Sequence, residues 1–208
     1  MQASHAIQPT LIATLWPTAG ARFSGGLVRM AVLALAGSAL LTLSAKIQVP
    51  FWPVPMTMQT FAVLVIGAAY GWRLGAATVL LYLAEGALGL PVFSRGGGLA
   101  YFAGPTSGYL FGFVAAAMLV GWLAERGWDR TIPATLFAMA LGTALIFIPG
   151  VAWLCVFLMQ AKGIALAAGL SAAVANGLTP FLAGAAAKIA LAAAVMPYGW
   201  VLVGRYKS

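Results

Sequence analysis

Acidic side chains are nearly missing from this chain: Glu85, Glu125 and Asp129 are the only three among 208 residues. His5 is the single histidine and Cys155 the single cysteine. Nucleophilic, paired-carboxylate and hydrolytic-metal chemistries all need more titratable groups than this, so intramembrane hydrolases and metalloproteases are disfavoured and no enzyme is expected. A lone cysteine also gives no disulfide framework and no C-x-x-C pair. Charge of either sign is scarce, at 7% of residues against 63% hydrophobic. No soluble fold of this length tolerates that on its surface, so the chain reads as an integral membrane protein. Its eleven Lys and Arg are scattered singly rather than clustered with spaced aromatics, so the net charge of +8 marks topology and not nucleic-acid binding. Residues 1–21 contain neither Lys nor Arg, so a cleavable signal peptide is not expected there.

What is present is apolar sequence punctuated by Pro, Gly and isolated cations. A crossing of a roughly 30 Å hydrocarbon core needs about 17 to 25 residues. Spans are expected over 29–45, 56–71, 74–90, 105–124 and 131–148, the fifth stopping at Pro149-Gly150, with a last span over 179–196. Residues 151–178, broken by Lys162, Gly163 and Gly169, read as a partly helical outer segment, a seventh span being the competing topology. The fold class is therefore an all-α integral membrane protein with six transmembrane helices. It divides into an N-terminal cytoplasmic or interfacial segment (1–28), a transmembrane domain (29–203) and a cytoplasmic tail (204–208). The short apolar run before Pro17, with Trp16 as anchor, is expected at the membrane interface.

Positive-inside counting favours six spans over seven. With both termini cytoplasmic, the inside receives Arg22, Arg29, Arg73, Arg126, Arg130, Arg205 and Lys207, and the outside Lys46, Arg95 and Lys162. The outer connections are then 46–55, 91–104 and 149–178, which carry the unusual Pro, Gly, aromatic and polar residues. Such loops gathered at one surface are what a ligand site open to that side needs.

Each motif has a functional and a plainer reading. In KIQVPFWPVPMTMQT (46–60), the three prolines favour an extended path. Thr57 and Gln59 would hydrogen-bond a polar ligand head beside Phe51 and Trp52, or Thr57 would cap a helix and Trp52 would sit at the lipid interface. In LPVFSRGGGLAYFAGPTSGYLFGF (90–113), Arg95 would clamp an anionic ligand or snorkel to headgroups, and the glycines around it, Gly98 included, let backbone amides approach a small molecule. Gly104, Gly108 and Gly112 recur at one-face helix spacing, for tight packing. Lys188, well inside the last span, costs roughly 2.5 to 3.5 kcal/mol unless paired or hydrated, which makes it the leading functional candidate. Glu85 would pair with Arg95 or Lys188, in a site or as a structural ion pair. Asn176 would present its amide to the site or cap a turn. Ala34, Ser38 and Thr42, four residues apart, form a small-residue ridge suited to close contact with another helix, a second copy of the chain or another protein.

Together these residues resemble the BioY family, membrane proteins for biotin uptake that serve as the substrate-binding S component of energy-coupling-factor (ECF) transporters. The stretches that carry the resemblance are VPFWPVPMTMQTFAVLV (49–65), GLPVFSRGGGLAYFAGPTSGYLFGF (89–113), GVAWL (150–154) and PFLAGAAAK (180–188). It implies six helices in a bacterial inner membrane and an outward-facing pocket under the loops after helices one, three and five. The ligand implied is biotin, with no cofactor in the chain itself. The implied partners are a membrane coupling protein (T component) and two ATPase subunits, which use the ATP. Biotin's carboxylate would then meet Arg95 or Lys188, its ureido group Gln59, Asn176 or Glu85, and its rings Trp52, Phe93 and Tyr101. The family pattern P-F-x-P-G-D-x-x-K is kept at Pro180, Phe181, Gly184 and Lys188, whereas Ala183 and Ala185 replace its proline and aspartate. Two other classes are weighed against this one: a proton-coupled carrier working through Glu85, and a ligand-free membrane assembly protein.

Overall fold

A computed structural model describes residues 8–17 and 23–207; His5 and Arg22 lie outside the described residues, as do the side chains of Arg205 and Lys207. Eight α-helices are seen among the described residues. A five-residue helix α1 (Leu11–Leu15), capped by the Thr10 hydroxyl, packs on the helices over 59–70 and 182–207. Helix α2 (Phe23–Lys46) leads into a two-stranded antiparallel hairpin, β1 (Gln48–Val49) and β2 (Met56–Thr57), with Gln48 opposite Thr57. The prolines at 50, 53 and 55 fill the turn of that hairpin, where no ladder donor is needed. Helices α3 (Gln59–Tyr70) and α4 (Trp72–Ala87) meet at Gly71, whose φ of +83° permits the abrupt reversal.

Helix α5 (Ser107–Ala124) is the centre of the bundle, packed against α3, α4 and α6 (Ile132–Lys162). Gly108 and Gly112 make this possible: a Cβ on Gly112 would lie 2.9 Å from the Cα of Ile146, and one on Gly108 would overlap the carbonyl of Pro149. The expected glycine face is thus the α5–α6 contact, without Gly104, which precedes the helix.

The fifth span does not stop at Pro149-Gly150. Helix α6 continues through Pro149 to Lys162 and is about 46 Å long at 1.5 Å per residue. In an apolar medium a break would leave backbone groups unpaired, and contacts with α5 hold both sides of the proline in place, Gly150 lying flat against the Tyr109 ring. Gly163 ends the helix in the left-handed conformation, and α7 (Leu166–Gly177) folds back on α6. At 12 residues, about 18 Å, α7 is shorter than a usual membrane crossing, as α3 also is, and it differs from α3 in lying back along α6. The segment 151–178 is thus the end of α6 followed by a short helix. A 3-10 turn (Thr179–Phe181) then opens α8 (Leu182–Lys207), which runs past the expected end at 196 and through Pro197.

Among the described residues, four stretches are long and apolar enough to cross a membrane: Gly25–Lys46, Ser107–Ala124, Ile132–Lys162 and Leu166–Gly204, the last containing α7 and α8. Helix α3 is apolar but shorter. The two ends of the bundle differ. At one, Glu125 accepts from the Trp72 amide, Asp129 from the Trp200 indole, and Arg29 donates to Ile12. At the other, Lys46, Arg95 and Lys162 contact the hairpin and the 88–106 loop.

A candidate ligand cavity beneath two clasped loops

The hairpin and the loop after α4 are tied into one cap. The Lys46 ammonium donates to the carbonyls of Pro91 and Phe93, both at 2.7 Å, and Gln48 donates to Ser94. Arg95 reaches the other way, its Nη2 donating to the carbonyl of Phe51 at 2.7 Å. Phe93 anchors the loop: it is fully buried, edge-on to Tyr82 and Phe102 and 4.6 Å from the Tyr101 ring. Gly86 on α4 leaves the space for that ring, and Gly98 (φ +97°) donates its amide to the Gly86 carbonyl.

Beneath the cap, α3, α5, α6 and α8 line a cavity whose empty space is about 720 Å³ with its open mouth included. Its walls are largely aromatic: Phe93 and Tyr101 from the loop, Phe113 and Tyr109 from α5, Phe147 from α6 and Phe181 from the turn before α8. Polar groups interrupt the wall at Thr57, Gln59, Thr60, Ser94, Thr106 and Thr143. Lys188 is the one charged side chain among the described lining residues.

Two polar arrangements are built before any ligand arrives. The Lys188 ammonium donates to the Thr57 carbonyl and, at 3.3 Å, to the Thr60 hydroxyl. An ammonium has three donors, so one remains for an anion. Gln59 is fixed at both ends of its amide, accepting from the Thr57 hydroxyl at 3.1 Å and donating to the Tyr82 hydroxyl at 2.6 Å, which passes the chain on to the Val92 carbonyl. One further N–H and acceptor capacity remain on Gln59. The site can thus hold a ligand with an apolar body, an anionic group and a polar group able to both donate and accept.

Of the sequence-derived candidates, Thr57, Gln59, Phe93, Tyr101 and Lys188 are brought together in the cavity wall. Trp52 is 67% exposed, beside the peptide of cis-Pro53, with Lys162 5.7 Å from its ring centroid. Arg95 and Gly98 belong to the cap. Asn176 is exposed and donates to its own helix at Ala172. Glu85 contacts neither Arg95 nor Lys188: its carboxylate accepts a hydrogen bond from Ser38, joining α4 to α2. Ser38, at the middle of the Ala34-Ser38-Thr42 ridge, is buried by that contact, while Ala34 and Thr42 are half-buried.

Sequence reasoning missed Tyr82, Tyr109, Thr143 and Phe147. Ala185, where the family pattern has an aspartate, lines the cavity three residues before Lys188 on the same face of α8. Tyr109, whose hydroxyl donates to the Gly177 carbonyl at 2.8 Å, gave no local signal, because its partner is far along the chain.

Apolar helices around a capped cavity open at one end define a multi-pass membrane protein with a small-molecule site. The sequence profile of the BioY family matches residues 13–205. The chain belongs to the BioY family. It is 40% identical over 122 residues to the biotin transporter BioY of Rhizobium etli, an alignment covering 55% of this chain and 65% of that protein. It is 37% identical over 121 residues to the probable biotin transporter BioY of Lysinibacillus sphaericus, covering 58% and 62% respectively. In both cases the matched part is less than two thirds of the relative's length. The probable biotin transporter BioY of Pyrococcus horikoshii is 34% identical over 145 residues, covering 69% of this chain and 79% of that one. In fold, the chain is similar to the crystal structure of the S component for biotin from an ECF-type ABC transporter. The TM-score is 0.66 at 22% identity, over 86% of this chain and 94% of that one.

Proposed function

We propose that this chain captures biotin in the cavity under the clasped loops and serves as the substrate-binding subunit of a vitamin importer. The observation that carries the reading is the half-satisfied ammonium of Lys188 in an otherwise uncharged, aromatic-walled cavity. Biotin matches that chemistry: its carboxylate takes the free donor of Lys188, its ureido group the remaining capacity of Gln59, and its fused rings the faces of Phe93, Tyr101 and Phe181. Arg95 holds the cap closed rather than meeting the ligand. The names of the relatives support the same ligand.

The chain crosses the bacterial inner membrane six times, with α2, α3, α4, α5, α6 and α8 as the crossings and α7 as an outer hairpin arm. The cap faces outward and both termini face the cytoplasm, because Arg29, Arg73, Arg126 and Arg130 gather at the end opposite the cap. The chain holds no phosphate-binding loop of its own. Release into the cytoplasm is driven by a membrane coupling protein and two ATPase subunits. Uptake of labelled biotin by cells that carry the chain with and without those partners tests this. Uptake that depends on them supports the reading, and uptake driven by pH alone, lost in Glu85→Gln, replaces it with a proton-coupled carrier.

A further inference from the structure

A second feature lies at the opposite end of the bundle, on the face that α5 turns outward. Ala115, Met118, Leu119 and Trp122 follow one another along a single helical stripe, and with Trp72 at the start of α4 they line a shallow, almost wholly apolar groove. The stripe runs about 10 Å along α5. Its two tryptophans stand at helix ends brought together by Gly121, which lies against the backbone of Gly71 and Trp72. That is the level at which tryptophans sit in a membrane interface.

Each tryptophan carries an arginine. The Arg126 guanidinium lies 3.4 Å from the centroid of the Trp122 ring and that of Arg73 lies 4.9 Å from the Trp72 ring. An arginine that only seeks water extends away from the helix, whereas both of these fold back on the groove. A guanidinium stacked on a ring keeps its in-plane N–H donors free, and only one of those on Arg126 is used, by the Trp122 carbonyl at 2.9 Å. Of the three acids of the chain, Glu85 is engaged by Ser38 and Asp129 by Trp200, while Glu125 lies beside the groove with one carboxylate oxygen taken by the Trp72 amide. Two arginines, each stacked on one of the groove's two tryptophans and with N–H donors unused among the described residues, complement a phosphate whose acyl chain lies in the apolar channel.

We propose that this groove holds one acyl chain of an anionic phospholipid whose phosphate is taken by Arg73 and Arg126. The site is separate from the ligand cavity, so the proposal does not depend on the identity of the cavity's ligand. The apolar stripe supplies length and the stacked arginines supply preference for negative charge over a zwitterion.

Purified protein is exchanged into nanodiscs of equal phosphatidylglycerol and phosphatidylcholine, extracted into mild detergent, and its retained lipids are counted by native mass spectrometry. Wild type is expected to retain one phosphatidylglycerol in preference to phosphatidylcholine. Arg73→Gln and Arg126→Gln each reduce that retention about fivefold, while Lys162→Gln, which removes one charge at the other end, leaves it unchanged. Ala115→Phe, which fills the groove without touching a charge, also lowers it. The proposal is overturned if the arginine variants retain phosphatidylglycerol as wild type does, or if Lys162→Gln loses as much. It is equally overturned if Ala115→Phe abolishes co-purification with protein partners but not lipid retention, since the groove would then be a protein contact.

Discussion

The ammonium of Lys188 on α8 is held by the backbone carbonyl of Thr57, at the junction of the hairpin and α3. One bond thus links the last helix to the cap over the cavity. It also places the cation at the cavity wall with a donor to spare, because among the described residues only Thr57 and Thr60 take its protons. Replacing Lys188 by Met removes the charge and leaves the Thr57 carbonyl beside a partly open cavity that water can enter. The bundle is expected to fold and ligand affinity to fall.

In the proposed reading Arg95 acts as a latch between the two loops and not as an anion clamp. Arg95→Gln loses the bond to the Phe51 carbonyl that joins the two loops. The expected outcome is faster ligand dissociation, about fivefold for a bond worth about 1 kcal/mol, with association little changed. Stopped-flow binding checks it, and a loss of affinity as large as that of Lys188→Met assigns Arg95 to the ligand instead.

Close approach of α5 and α6 depends on Gly108 and Gly112. Alanine at either position forces its Cβ into α6 backbone, and overpacking of this kind costs about 1–3 kcal/mol. Gly26→Ala, with nothing within 4 Å, is the control and leaves stability unchanged. Thermal unfolding in one detergent compares the three.

Tyr109→Phe leaves the Gly177 carbonyl without its partner. A buried acceptor stranded in this way costs about 1–3 kcal/mol, or about 2–4 °C in Tm per kcal/mol for a chain of this size. An unchanged Tm rules out a stabilising role for the bond.

At the opposite end Asp129 is 2% exposed, with Oδ2 accepting from the Trp200 indole at 2.7 Å and Oδ1 without a partner among the described residues. Burial raises its carboxyl above the ordinary value near 3.8, against the lowering effects of the Trp200 and backbone hydrogen bonds and of Arg130. The native state therefore holds the proton more tightly than the unfolded chain. Stability falls as pH rises from about 3.8 through the native value, and is level above it. Asp129→Asn keeps an acceptor for Trp200 and removes that fall. Unfolding curves across the acid range check the difference, and identical pH profiles contradict it.

Much of this was legible in the chain and some was not, for physical reasons. Lys188 stood out because a cation deep in an apolar helix is costly, and Gly108 and Gly112 because their spacing marks one helix face. Isolated cations placed Lys46, Arg95 and Lys162 at one end and Arg73, Arg126 and Arg130 at the other, as the structure does. Pro149 misled, because its local rule is helix termination, while packing against Gly108 carries α6 past it. Glu85 misled too: an acid within a span calls for an opposite charge, whereas its partner is Ser38, a neutral donor 47 positions earlier on α2. Contacts of that separation, like Tyr109 with Gly177, leave no periodic trace.

Equilibrium binding of labelled biotin to the purified chain and to Lys188→Met tests the central claim most directly. The account predicts saturable binding by wild type, weakened roughly ten- to hundredfold in the variant for loss of a charge-assisted hydrogen bond. No binding by wild type contradicts the assignment of the ligand, and equal binding by both proteins contradicts the role given to Lys188.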